Sequence, residues 1–208
     1  MSQHSIRLGH YPDNDPYATV SWDVREVAIK TGNTYHFRQK NVEAPTEWSD
    51  IALAIVAQKY FRGYVDKEGN PGNNRETSVK QLIGRVVDTL ADWGGYVDVD
   101  GTIVYDKRTE DTDLRSDQVY FQTKEERDNW ANDLKYMIVN QMFAFNSPVW
   151  FNVGRDSRPQ CSACFIQPIE DDLMSIYELV QNEARLFKWG SGTGTNFSAI
   201  RGRQEKLS

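Results

Sequence analysis

The chain contains two cysteines, Cys161 and Cys164, in the stretch Pro159-Gln-Cys161-Ser-Ala-Cys164-Phe-Ile166. Thiols can ligate a metal, exchange disulfides or sit inert in a core. Structural zinc needs about four ligands, usually a second Cys or His pair. The only histidines are His4, His10 and His36, isolated and remote in sequence, so zinc has little support. A thioredoxin-like pair would open a helix after a strand, whereas Phe165-Ile166-Gln167-Pro168 reads as strand continuing. In a strand, three residues advance ~10 Å and alternate faces, and disulfide-linked Cα atoms lie within ~7 Å. A local disulfide is disfavoured if the strand is regular, and two structural thiols remain the plain alternative.

Two further stretches are too specific for packing alone: Phe145-Asn-Ser-Pro-Val-Trp-Phe-Asn-Val-Gly154 and Lys188-Trp-Gly-Ser-Gly-Thr-Gly-Thr-Asn196. The second lacks the lysine of a phosphate-binding loop, and its glycines do not complete the dinucleotide fingerprint. It still offers free backbone N–H groups and room for close approach, as a flexible turn also would. Asp171-Asp172 stand where a helix should begin, where a plain N-cap is the bland reading.

These residues need elements to carry them. Trp22 to Ile29, a Thr31-Gly-Asn33 turn and Thr34 to Phe37 predict a hairpin over 20–39. A helix should follow Pro45-Thr46, with Ile51, Leu53, Ile55, Val56, Tyr60 and Phe61 as its apolar positions, then a loop over 66–74. Val79, Leu82, Ile83, Val86, Val87 and Leu90 fall on one face of a helix over 76–93, closed by Gly94-Gly95. An Asp100-Gly101 turn predicts a hairpin over 97–105, followed by an acidic loop over 106–117. Thr123 and Glu126 form a capping box for a helix burying Trp130, Leu134, Met137, Ile138 and Met142 and stopping at Asn146-Ser147-Pro148. A last helix should pack through Leu173, Ile176, Val180 and Phe187.

Composition narrows the class. Over 208 residues, 24 basic and 30 acidic side chains give a net charge of −6. That argues against a nucleic-acid or anionic-membrane binder, which would show a basic face. The N-terminal Met1-Ser-Gln-His-Ser-Ile-Arg7 shows no signal-peptide h-region, and no apolar run nears the ~18 residues of a membrane span. Two cysteines cannot make a secreted disulfide scaffold. A soluble, cytoplasmic protein is expected.

The three stretches, in this order, resemble the adenosylcobalamin-dependent class II ribonucleotide reductases. Trp48 to Gly63 and Ser78 to Gly94 look like the same family's N-terminal region, so the resemblance covers roughly residues 20–208. It implies an α+β to α/β chain: a polar arm over 1–19, a mainly helical N-terminal domain with small hairpins over 20–145, and over 146–208 the opening strands and helices of a ten-stranded α/β barrel. By position in Ser-Ala-Cys-Phe, Cys164 would be the first of the redox cysteine pair, with Cys161 a structural thiol. Ser147 would hydrogen-bond substrate phosphates, and the backbone at Ala163 would contact the ribose. Asp171 would accept from the 3′-hydroxyl of a deoxynucleotide effector, with Lys188 and Arg201 facing its phosphates. The family's radical-bearing cysteine and shuttle cysteines have no counterpart here, so the chain reads as an N-terminal portion, inactive alone. The complete enzyme would need adenosylcobalamin, with no ligand located in this chain, a thioredoxin-like reductant, the remainder of the reductase, and a homodimeric partner. A non-catalytic nucleotide-binding or assembly subunit is the runner-up, and a small thiol oxidoreductase using Cys161 and Cys164 the third reading.

Overall fold

The computed structural model describes residues 15–105, 119–155 and 159–204. The chain divides after Ala144 into two compact units. The predicted acidic loop and most of the polar arm lie outside the described residues. Pro16–Thr19 form a 3-10 turn capped by Asp15 with Pro16 buried. Burial raises the phenol pKa of Tyr17 far above its usual value, and its hydroxyl lies 3.4 Å from the Lys80 carbonyl.

The first unit begins with β1 (Trp22–Thr31) and β2 (Thr34–Pro45), antiparallel from Trp22↔Pro45 to Thr31↔Thr34. Gly32, at φ +57°, makes the turn. The second strand runs past the predicted end. Arg38-Gln-Lys-Asn41 looks too polar for a strand, but Gln39 is buried, and so are Val42 and Ala44 beyond it. A register shift between Arg25 and Val27 faces Asn41, at φ +56°, a bulge that lets a polar run stay paired.

Helix α1 (Asp50–Tyr60), capped by Ser49, buries Leu53, Ala54 and Ala57. Ile51 and Ile55, expected in the core, are exposed. Helix α2 (Val79–Gly94) starts at the Ser78–Gln81 capping box, three residues later than predicted, because a capping side chain must sit outside the helix it caps. Its Val79, Leu82, Ile83, Val86 and Val87 are buried as the periodicity requires. Strands β3 (Tyr96–Val97) and β4 (Ile103–Val104) are shorter than the alternation suggested, with Val99 fully exposed.

Helix α3 (Lys124–Val139) is capped by Thr123. The Glu126 carboxylate reaches back to the Gln122 N–H at 2.7 Å, one residue beyond the predicted box. Termination at Asn146 is overturned. The Gln141 N–H reaches Ile138 O at 3.0 Å and the Met142 N–H reaches Met137 O at 2.8 Å, with Gln141 at φ +57°. That is a Schellman stop, and it leaves Met137 and Met142 exposed. Lys135 pairs with Asp88 at 2.6 Å and Arg127 with Asp92, which sets the register between α2 and α3. Arg75, 8% exposed, donates to Gln39 Oε1 and to the carbonyls of Ala57, Phe61 and Gly63. It thereby ties β2 to the end of α1.

In the second unit Asn146-Ser147-Pro148 opens a helix instead of closing one. Asn146 caps α4 (Ser147–Asn152), with Pro148 in its first turn, where a missing N–H costs nothing. Strand β5 (Cys164–Gln167), helix α5 (Leu173–Lys188) and strand β6 (Gly192–Thr195) follow. The strands pair in parallel, from Cys164↔Gly192 to Gln167↔Thr195, making one βαβ crossover. The glycine-rich run is thus a turn at Trp189-Gly190, with Gly190 at φ +78°, followed by a strand over Gly192–Thr195. Expected core positions on α5 are reversed: Leu173, Val180 and Phe187 are 65%, 56% and 57% exposed, while Leu179 is buried. Among the described residues the fold is mixed α/β, with five α-helices and three two-stranded sheets.

Candidate functional site

Cys164 is the first residue of β5 and is exposed. Its parallel partner is Gly192, whose N–H donates to Ala163 O at 2.6 Å. A Cβ on Gly192 would stand 3.5 Å from Ala163 O and 3.9 Å from Cys164 Sγ. The absent side chain therefore keeps the space beside the thiol open.

Cys161 differs. It is half-buried, its Sγ faces the Pro159 carbonyl at 3.7 Å, and burial pushes its thiol pKa up. Both cysteines are free thiols. The strand begins only at Cys164, after a bend at Ala163, so a regular strand does not span both cysteines. The strand-spacing argument against a local disulfide does not apply here.

The segment between them is pinned by residues that sequence reasoning passed over. Asn152, 5% exposed, donates to Gln160 O at 2.7 Å and to Trp189 O at 3.4 Å. Ser191, also 5% exposed, donates to Ser162 O at 2.7 Å and accepts from the Gln160 side-chain amide. That amide also reaches Ser162 O at 2.7 Å, while its oxygen accepts the Ser162 N–H. Polar residues from all three notable stretches meet here: Asn152 and Ser191 are buried and Gln160 is half-buried. A polar side chain embedded in each apolar or glycine-rich stretch was the available signal.

Of the expected effector residues, Asp171 and Arg201 meet. Arg201 Nε lies 2.6 Å from Asp171 Oδ2 and its terminal nitrogen 3.3 Å from Asp171 O. Asp171 follows β5 and Arg201 follows β6, so the pair stands outside the carboxyl ends of the parallel strands, where open α/β sheets place ligands. Asp172, not Asp171, caps α5, accepting from Met174 N at 2.9 Å and Ser175 N at 3.1 Å.

Lys188 is elsewhere, at the far end of α5. Seventeen residues at ~1.5 Å each put it about 25 Å from Asp171. It lies over the Trp189 ring at 5.7 Å, on an open hollow of about 550 Å³ shared with Phe151, Arg155 and Phe187. Ser147 is the first residue of α4 and half-buried.

The described residues assemble no protein-held metal centre. Among the described residues no group of three or more His, Cys, Asp or Glu could hold a metal ion. The one described histidine, His36, projects from the β1–β2 hairpin, its Nε2 3.0 Å from Thr31 Oγ1. No described helix is long and apolar enough to cross a membrane.

Comparison with known proteins adds a family. Residues 22–106 match the model described as class II vitamin B12-dependent ribonucleotide reductase, and residues 162–208 match the ribonucleotide reductase barrel domain. A vitamin B12-dependent ribonucleotide reductase of Rhodopirellula baltica is 39% identical over 93% of this chain and 19% of its own length. One from Streptomyces coelicolor is 39% identical over 97% of this chain and 18% of its own. A vitamin B12-dependent ribonucleoside-diphosphate reductase of Thermoplasma acidophilum is 30% identical over 74% of this chain and 19% of its own. By sequence, therefore, the chain belongs with the class II vitamin B12-dependent ribonucleotide reductases, and it spans about a fifth of the length of these relatives.

Proposed function

We propose that this chain serves in a ribonucleotide reductase that converts ribonucleotides to 2′-deoxyribonucleotides in the cytoplasm, supplying precursors for DNA synthesis. The observation that carries the reading is the exposed Cys164 thiol at the start of β5, beside a strand partner with no side chain. In that role Cys164 and a second thiol from elsewhere in the enzyme become a disulfide. Their two electrons and two protons reduce the substrate as the 2′-hydroxyl departs as water. Cobalamin would supply the radical chemistry when bound; no residue of this chain is assigned to hold it.

Ser147 is proposed to hydrogen-bond substrate phosphate, and the Ala163 backbone to approach the ribose. The Ala163 carbonyl is already engaged by Gly192, which leaves its N–H side for that contact. Asp171 and Arg201 are proposed as the deoxynucleotide effector contacts. Lys188, at the far end of α5 about 25 Å along the helix from Asp171, is proposed to face the effector's phosphates. The barrel of ten strands, the thioredoxin-like reductant and a homodimer belong to the same proposal.

The test is turnover in enzyme assembled from this segment and the remaining reductase polypeptide. Cys164→Ser should abolish deoxynucleotide formation while substrate still binds, and Cys161→Ser should keep most activity. Equal loss in both variants would make the local cysteines the redox couple and sink the assignment.

A further inference from the structure

Two cysteines separated by two residues can pair whenever the segment curls, since a disulfide requires its Cα atoms ~4.4–6.8 Å apart, a span that Cys-X-X-Cys motifs meet. Here they do not pair, and no strand holds them apart, because β5 starts only at Cys164. What restrains the segment is its backbone. Asn152 holds Gln160 O, the Gln160 side chain holds Ser162 N, Ser191 holds Ser162 O, and Gly192 holds Ala163 O. Meanwhile Cys161 is turned to the Pro159 carbonyl. Curling the segment would break the Gln160 and Ser191 contacts, stranding the nearly buried Ser191 hydroxyl.

We propose that Asn152, Gln160 and Ser191 form a thiol-sorting latch: they hold Cys161 away from Cys164, so that Cys164 stays available to a thiol from outside this segment. These are positioning residues. The inference deepens the redox role given to Cys164 and rests on that reading for its purpose. Its test measures thiol pairing alone, so either can fail without the other.

The experiment uses the reduced 208-residue chain at low concentration, treated with diamide. In the measured step an S–S bond forms between Cys161 and Cys164. The two thiols give up two protons and two electrons, which diamide takes up to become a hydrazine. Intramolecular disulfide is quantified by mass after the remaining thiols are blocked. Ser191→Ala should form the local disulfide about tenfold faster than wild type, the weight of roughly one buried hydrogen bond. Gln160→Ala should do the same and stands in if the first variant does not fold. Ser191→Thr, which keeps the hydroxyl, should behave as wild type. Wild type pairing as fast as a folded alanine variant would overturn the latch, as would Ser191→Thr behaving like Ser191→Ala.

Discussion

Replacing Arg75 with methionine should destabilise the first unit by about 3–5 kcal/mol, the range for breaking a buried charged network. Methionine keeps an unbranched stem against Phe37 and Phe61, over whose rings the guanidinium sits at 5.8 and 5.6 Å. It removes every donor. Gln39 Oε1 loses contacts of 2.9 and 2.7 Å, Phe61 O one of 2.7 Å and Gly63 O one of 3.0 Å, and Ala57 O loses its own. Four acceptors at ~1–3 kcal/mol each would exceed the stated range. Gly63 O, the most solvent-accessible of them, can regain water, which brings the sum down. At about 2–4 °C per kcal/mol for a unit of this size, melting should fall by about 6–20 °C. Arg75→Lys should recover only part, since one ammonium cannot match a planar fork serving four acceptors. Urea and thermal unfolding of the 208-residue chain, with amide exchange followed at residues 57–63, would measure both. A methionine variant within about 1 kcal/mol of wild type would refute the reasoning, because unpaired buried acceptors cannot cost so little.

Four further outcomes are expected. Iodoacetamide near neutral pH should modify Cys164 faster than Cys161, whose thiol is half-buried and pushed up in pKa; peptide mapping against time reads the order. Arg201→Ala should change stability by no more than about 1 kcal/mol, because the Asp171 pair is partly solvated. In the complete enzyme the same variant should weaken effector binding about 10- to 150-fold, from the ~1.5–3 kcal/mol of a charged hydrogen bond, read by calorimetry. The Glu43 carboxyl is held below its ordinary value of 4.5 by hydrogen bonds from Lys80 and Ser78. Its stabilisation is therefore present above about pH 4.5 and lost as pH falls through the lower folded value; Glu43→Gln should flatten that part of an acid titration followed by melting.

How far the sequence was legible depended on the kind of signal. Helix α2 declared itself because five buried residues share a face that nothing else competes for. The end of α3 was misjudged because Pro148 marks a helix boundary without saying whether a helix closes or opens there. The true stop, a non-glycine residue at positive φ in Gln141, has no sequence signature. Strand β6 was hidden by its glycines, which favour turns locally and take a strand only because β5 supplies a partner. For α5 the periodicity was real but its direction was not. The apolar stripe of Leu173, Val180 and Phe187 faces outward among the described residues, a fact set by tertiary context. At the site, residue types pointed to Cys164, Asp171 and Arg201. The pairing of the last two, and the buried Asn152 and Ser191, come from chain crossings that no local pattern encodes.

The glycine opposite Cys164 should show an unusual mutational profile. An added methyl at Gly192 would make only ordinary contacts, at 3.5 Å to Ala163 O and 3.9 Å to Cys164 Sγ. Gly63 differs: it is at φ +85°, and its Cβ would collide with the Asn74 and Arg75 backbone, so substitution there should fail in any screen. In a saturation library scored separately for abundance and for enzyme output, alanine at 63 should score low on both axes. Alanine at 192 should survive the first and lower the second, because its methyl would lie in van der Waals contact with the Cys164 thiol without disturbing the fold. Positions that split the two scores in this way locate chemistry in a reductase without any ligand-bound structure.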